Sequence, residues 1–439
     1  MASKEEFPSG PQSGEYTVEH ALNLALKHHR DAEFSVAEEI YSQLLSQFPN
    51  HVDALNFFGV LRHQMGRTEE GANLIRRSLA IDPEYSDAWN NLGNLLLELD
   101  RFEEAAKAYR KVIRLNPENV NALSNLGLVT KLMRKYGKSE EYFRRALAID
   151  PDHNEANRNL GNLLLFLERK DEAHTLFQRA LEKNPEDAGS YRALARAYRL
   201  AGNTAAATIV YRQWLNMEPD SATAHHHLVA LTGEGVPDRA SAEYVCEEFD
   251  GFANSFDRVL QRLRYRAPML CDEALRAEIP EADGSLDILD AGCGTGLCGG
   301  LLRPFARVLT GVDLSRKMVE RARSRNQYDE LVVADLLTYL PEAGPFDVVI
   351  SADTLCYFGR LTAVLTGMAT ATQPGGIVIF TLEAGEDDGP GFEIQGHGRY
   401  RHSEGYARES VGSAGFELRD LQRCVLRTEG GKKVGGFAV

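Results

Sequence analysis

The first 235 residues contain no cysteine; all six (Cys246, Cys271, Cys293, Cys298, Cys356 and Cys424) come later. Their spacing fits neither a zinc ligand set nor a small disulfide framework. No metal site is therefore expected, and reduced thiols in a cytoplasmic setting are. Long apolar runs are also missing. No stretch of about 18 apolar residues occurs, which excludes a helical membrane span. The opening "MASKEEFPSGPQSGEYTVEH" has no apolar core, so no secretory leader is expected, and residues 1–17 read as a disordered lead. Basic charge is scarce. Acids outnumber bases 33 to 27 up to residue 235 and 31 to 22 after it, for a net charge of −15. Neither half has the electrostatic footprint of sequence-independent nucleic-acid or anionic-membrane binding, so no nucleic-acid partner is expected.

What is present is ample globular chain. Its 439 residues are 43% hydrophobic and 26% charged, enough for two or three domains. Proline recurs at Pro49, Pro83, Pro117, Pro151, Pro185 and Pro219, always 34 residues apart. Aligned on these prolines, a small residue recurs at Ala37, Gly71, Ala105, Ser139, Ala173 and Ala207. A large apolar residue follows at Tyr41, Ile75, Tyr109, Phe143, Phe177 and Tyr211. Small residues let two helices approach closely, large ones fill the gap to the next pair, and proline ends the second helix. This pattern resembles the tetratricopeptide repeat family in six copies, with a degenerate first repeat at Ala25 and the fullest match in "SDAWNNLGNLLLELDRFEEAAKAYRKVIRLNP". The resemblance implies an all-α superhelix over residues 18–231, capping helix included, with a concave inner face.

Asn91, Asn125 and Asn159 take one position in three successive repeats. On a concave face such amides pair with both the N–H and the C=O of an extended polypeptide, which makes them candidate substrate-binding residues. Packing and hydrogen bonding between repeats is the alternative reading. "AHHHL" (Ala224 to Leu228) is expected to be a solvent-facing capping helix rather than a metal site, because helix neighbours meet at i+3 and i+4. "LTGEGVPDRA" is expected to be a linker across residues 232–240.

From residue 241 the character changes. Amphipathic helical spacing in "SAEYVCEEFDGFANSFDRVLQRLRYRAPML" gives way to β-like runs, "LDILDAG", "RVLTGVDL", "ELVVADL", "FDVVISAD" and "GGIVIFTLE", with helices between them. Alternation of this kind predicts an α/β doubly wound, Rossmann-like parallel sheet. The C-terminus reads as an antiparallel hairpin turning at Gly430-Gly431. In such sheets ligands bind beyond the carboxyl ends of the strands. Asp290, Asp313 and Asp335 each end one of the first three strands. Gly292, Gly294 and Gly296 follow the first, where any Cβ would obstruct a close ligand.

Those ordered motifs resemble class I S-adenosylmethionine-dependent methyltransferases over about residues 241–439. The resemblance implies that Asp290 and the glycine loop hold the methionine part of S-adenosylmethionine and that Asp313 takes the ribose hydroxyls. Leu314 would flank the adenine, Asp335 would accept from its amine, and Leu336 would donate its backbone N–H. Ala352 and Asp353 would lie below the methyl donor, Asp353 on the substrate side. The whole chain resembles a bacterial group that fuses the two modules. "FDGFANSFDRVLQRLRYRAP" is similar to the lid helices of ubiquinone/menaquinone methyltransferases, with Phe249, Phe256 and Tyr265 as lid candidates and Tyr265 near the cofactor.

Methyl transfer requires alignment and desolvation, and needs a base only if the acceptor must lose a proton. Candidates on the substrate side are Tyr357, Arg399, Tyr400 and His402; Arg399 or Arg401 is suited to an acceptor carboxylate. The favoured acceptor is a peptide or protein recruited by the repeats. The alternative is a quinone-like or carboxylate metabolite, with the repeats used for assembly. A homo-oligomer is compatible with the sequence.

Overall fold

The computed structural model describes residues 17–253 and 255–439. Residues 1–16 of the expected lead lie outside the described residues. Packing divides the chain between Ala193 and Leu194 into two compact units, not at the expected 232–240 linker.

In the first unit, ten helices form five hairpins: α1 (Val18–Arg30), α2 (Phe34–Gln47), α3 (Val52–Gln64), α4 (Thr68–Ile81), α5 (Ser86–Glu98), α6 (Phe102–Leu115), α7 (Val120–Leu132), α8 (Tyr136–Ile149), α9 (Asn154–Phe166) and α10 (Lys170–Lys183). α11 (Ala188–Leu200) opens a sixth. The prolines fall just after the second helix of each hairpin, where a missing N–H costs nothing. The tight turn inside each hairpin carries one left-handed residue, at Ala32, Gly66, Asp100, Arg134 and Glu168. Glycines in the first helices make room for rings on the second. A Cβ at Gly93, Gly127 or Gly161 would stand 2.6, 2.7 or 2.6 Å from the ring of Tyr109, Phe143 or Phe177.

The second unit contains the rest of α11, α12 (Thr204–Met217) and α13 (Ala222–Thr232), then α14 (Ala242–Phe252), α15 (Phe256–Arg262) and α16 (Ala267–Glu278). The sheet domain follows: β1 (Leu286–Ala291), α17 (Gly299–Leu302), β2 (Ala306–Asp313), α18 (Arg316–Ser324), β3 (Glu330–Val333), α19 (Leu336–Tyr339), β4 (Phe346–Ser351), α20 (Thr362–Ala371), β5 (Thr372–Ala384), β6 (Phe392–Ile394), β7 (Tyr400–His402), α21 (Glu404–Ser413), β8 (Gln422–Glu429) and β9 (Lys432–Ala438). Strands β3-β2-β1-β4-β5 are parallel. β9 pairs antiparallel with β5 and β8, while β7 runs parallel to the end of β5.

The parallel strands are apolar throughout because both faces are covered. Ile288, Leu309, Val348 and Ile350 pack with Leu275 of α16 and Phe305 on one face. Leu289, Val312, Val349 and Phe380 pack with Val364, Leu365 and Met368 of α20 on the other. Strand order reverses beside β1, which sets a crevice at the carboxyl ends of β1 and β4.

Two expectations need correction here. The segment expected as a linker is tied to the sheet domain: the Asp238 carbonyl accepts from Gly359 N and Arg360 N, both at 2.8 Å, and Ala240 N donates to the Tyr357 carbonyl. The expected solvent-facing helix α13 buries His226. Its ring stacks on Tyr244 with centroids 3.8 Å apart, and Nε2 bonds the Gly398 carbonyl at 2.7 Å.

Candidate active site

The loop after β1 is built around its glycines, all three with positive φ. A Cβ at Gly292 would stand 2.2 Å from Thr354 Oγ1, and one at Gly296 would stand 3.0 Å from the Tyr328 ring. At Gly294 the nearest neighbour is Phe256 Cε1 at 4.0 Å, so only there does the loop face open space. The loop and the second acid lock each other in place. Asp313 Oδ2 accepts from Gly294 N at 2.9 Å, and Oδ1 accepts from Ser315 N at 2.8 Å.

Asp290, only 1% exposed, accepts from Tyr328 Oη at 2.7 Å through Oδ2. Its Oδ1 has no hydrogen-bond partner among the described residues. Burial pushes the carboxyl up to about 7, with the Tyr328 bond opposing and Asp313 adding to the rise. An unpartnered carboxylate oxygen in a buried site is costly unless a cation meets it. Tyr328 was not identified as a site residue; glycines 299 and 311, whose Cβ atoms would collide with its ring, were the available signal.

Asp335 caps α19 by accepting from Leu337 N at 2.9 Å and is also held by Arg239, whose Nη1 lies 2.9 and 2.7 Å from its two oxygens. Leu336 is buried in the core beside it. Helices α14 and α15 cross this edge. Cys246 Sγ donates to the Leu314 carbonyl at 3.6 Å, and Asp257 joins Thr295 and Arg325. Phe249 sits edge-on to both Phe256 and Tyr357, with centroids 6.0 and 5.4 Å apart. Tyr265 shares a small apolar cluster with Ala352.

At the carboxyl end of β4 lies a buried charge cluster. Asp353 has φ +57 and sits 3.5 Å from Arg427 Nη1. Glu383, fully buried, meets Arg427 Nη2 and Arg399 Nη1, the latter at 3.2 Å. Burial would raise the Glu383 carboxyl, but the Arg399 and Arg427 guanidiniums hold it below its ordinary value. Burial raises the Tyr357 phenol, and the Arg399 charge beside it opposes that rise. Oxygen and sulfur donors of Asp353, Cys356 and Glu383 lie within 4.8 Å of one another. The positive charge they face is already supplied by the two arginines. Glu383 and Arg427 were missed from sequence, although a charged residue inside an apolar strand was a usable signal in both "VIFTLEA" and "CVLRTE".

Residues 289–380 match the methyltransferase domain family. Residues 86–119, 118–186 and 158–225 match tetratricopeptide repeat families. The chain joins tetratricopeptide repeats to a methyltransferase domain. Methyltransferase-like protein 27 of Homo sapiens is 35% identical over 150 residues, covering 34% of this chain and 60% of that one. Malonyl-[acyl-carrier protein] O-methyltransferase of Serratia marcescens is 34% identical over 100 residues, covering 22% and 39%. The chain thus spans about two fifths to three fifths of the length of these relatives. A solved Pseudomonas aeruginosa pilF structure is 21% identical with TM-score 0.42, covering 47% of this chain and 95% of that one.

Within the methyltransferase domain the candidate residues separate into groups. Asp290, Gly292, Gly294, Gly296, Asp313 and Leu314 surround one crevice. Tyr357, Arg399 and Asp353 meet beside Phe249. Tyr400 and His402 do not join them. Side chains alternate along β7, so these two point opposite to Arg399 and Arg401. Tyr400, fully buried, donates to the Pro237 carbonyl at 3.0 Å. His402, also fully buried, is bound through Nε2 to the Phe358 and Gly359 carbonyls at 2.9 and 3.1 Å, and burial lowers it to about 4. Its Nε2 is thus committed to two carbonyls, and its Nδ1 is buried with no hydrogen-bond partner among the described residues. In the first unit, Asn91 Nδ2 donates to Asn56 Oδ1 at 3.1 Å. Asn125 Nδ2 and Tyr109 Oη both donate to Asn94 Oδ1, at 3.3 and 2.7 Å. These bonds run between or within repeats, as the alternative reading of the asparagines required. Asn159 is half-buried at the equivalent position. Among the described residues, no helix is long and apolar enough to cross a membrane.

Proposed function

We propose that the methyltransferase domain moves a methyl group from S-adenosylmethionine to a peptide or protein acceptor that the repeats recruit. The observation that carries the cofactor assignment is the unpartnered, buried Oδ1 of Asp290 beside a glycine loop open only at Gly294. The ligand's ammonium suits that oxygen, and its ribose diol suits the lone pairs left on Asp313. Bound there, the cofactor would supply an electrophilic methyl on a sulfonium. The chain's own residues do the rest: Phe249, Phe256 and Tyr265 exclude water, and Asp313 orients the ribose. Tyr357 and Arg399 face the acceptor, with Arg399 holding negative charge near the Tyr357 oxygen.

Two similar proteins, the malonyl-[acyl-carrier protein] O-methyltransferase above and the ubiquinone biosynthesis O-methyltransferase of Bordetella avium, favour by their names a second reading in which the acceptor is small and the repeats serve assembly. One experiment separates the two. The full chain is incubated with methyl-labelled S-adenosylmethionine and an extract of the source cells, which is then split into macromolecular and small-molecule fractions. Label in a discrete protein or peptide supports recruitment by the repeats. Label confined to the small fraction overturns it.

A further inference from the structure

Many arginines of the hairpin array pair with a carboxylate, and among those that do not are two on α11. Arg196 and Arg199 are three residues apart, hence on one helix face. Neither has a carboxylate oxygen within ion-pair distance among the described residues, and Arg199 Nε is buried without a hydrogen-bond partner. Two like charges side by side destabilise a helix unless something anionic meets them. Arg199 lies against the 395–399 loop, its Cδ 3.9 Å from where a Cβ on Gly396 would stand. That loop ends in Arg399, and His226 of α13 fixes it through the Gly398 carbonyl. Tyr244 of α14 stacks on His226, and its phenol lies among Glu248, Tyr357 and Arg399. Arg196 feels both the repulsion of Arg199 and the attraction of Glu248. Arg199 therefore lies against the loop that carries Arg399, and Arg399 is beside Tyr357, in a chain whose net charge is −15.

We propose that Arg196 and Arg199 bind an acidic polypeptide segment that flanks the methylated position of the acceptor. The proposal rests on the peptide-acceptor reading above and gives its substrate class: a segment rich in aspartate or glutamate, whose carboxylates accept from the guanidiniums in forked pairs.

The test is fluorescence polarisation of full-length protein with fluorescein-labelled hexaglutamate and, as the isosteric neutral control, hexaglutamine. No cofactor is needed, so failure here is separable from failure of methyl transfer, which calorimetry with S-adenosylmethionine reads independently. Hexaglutamate should bind and hexaglutamine should not. Arg196→Gln/Arg199→Gln should weaken hexaglutamate binding by about tenfold or more, since each charged pair lost is a sizeable term. Arg212→Gln, on the exposed face of α12, should leave it unchanged. The charge-reversed Arg196→Glu/Arg199→Glu protein should instead bind hexalysine, a gain that misfolding cannot mimic. Equal hexaglutamate affinity in wild type and Arg196→Gln/Arg199→Gln overturns the proposal. So does equal binding of the two peptides, or an oligothymidylate that outcompetes hexaglutamate at these arginines.

Discussion

Arg239 Nη1 lies 2.9 and 2.7 Å from the two carboxylate oxygens of Asp335, so a residue from the segment after α13 is tied to the acid that ends β3. The pair is partly open to water, the arginine side chain being 35% exposed. Its coupling should accordingly be modest. A double-mutant cycle of Arg239→Ala and Asp335→Ala in urea should give about 0.5–1 kcal/mol, the upper part of the range for exposed pairs. Strict additivity would mean that the segment is held by its backbone bonds alone.

Asp290 sets a pH dependence. Its folded-state carboxyl is raised from 3.8 to about 7, so the folded protein holds that proton more tightly than the unfolded chain. Stability from this group is therefore present at low pH and is lost as pH rises from about 4 through 7. Binding of an ammonium ligand has the opposite sign, because it needs the ionised form. Affinity for S-adenosylmethionine should rise about tenfold between pH 6 and 8, the span of a single titration centred near 7. Asp290→Asn should remove that dependence along with most of the affinity. Calorimetry in two buffers of different ionisation enthalpy should show proton release near pH 7, and no release would contradict the assignment.

Arg427 and Glu383 should behave as a unit. Removing one partner leaves the other's charge buried, so Arg427→Met should cost about 3–5 kcal/mol in urea unfolding. Arg427→Met/Glu383→Met should recover most of that loss, because an apolar pair of similar volume replaces both charges. A double variant no better than the single one would mean that Arg399 and Glu429 depend on the pair.

His402 and Tyr357 should part company in kinetics. His402→Gln keeps a donor for the Phe358 and Gly359 carbonyls, so the pH profile of kcat should be unchanged. Tyr357→Phe should lower kcat/KM for the acceptor while leaving cofactor binding intact. A lost pH limb in His402→Gln would restore the histidine as a base.

The repeat unit offers a packing test. Gly127→Ala would set a Cβ 2.7 Å from the Phe143 ring, an overpacked contact costing about 1–3 kcal/mol. Phe143→Leu in the same chain should restore part of it, and an unchanged midpoint for Gly127→Ala would show that the helices separate freely.

The parts legible in the sequence are those with a period. Prolines spaced by 34 residues gave the hairpins their boundaries, and apolar runs ending in Asp290, Asp313 and Asp335 marked the crevice. Other features depended on relations between distant segments. Tyr400 and His402 looked like neighbours of Arg399 because they are close in sequence, but strand alternation turns them to the opposite face. The 232–240 stretch had the composition of a linker. Its backbone nevertheless finds donors and acceptors at Tyr357, Gly359 and Arg360, a pairing that composition does not encode. Glu383 and Arg427 lie 44 residues apart and pair only because β9 brings β8 to the sheet.

The most direct test of the central claim is calorimetric titration of the full chain with S-adenosylmethionine, beside Asp313→Asn. Asparagine keeps one acceptor oxygen but loses the charge that would hold the ribose hydroxyls. Wild type should bind one equivalent, and Asp313→Asn should bind at least about tenfold more weakly, as expected for hydrogen bonds to a charged group. No binding by the wild type, or full affinity in Asp313→Asn, would contradict the assignment of this crevice.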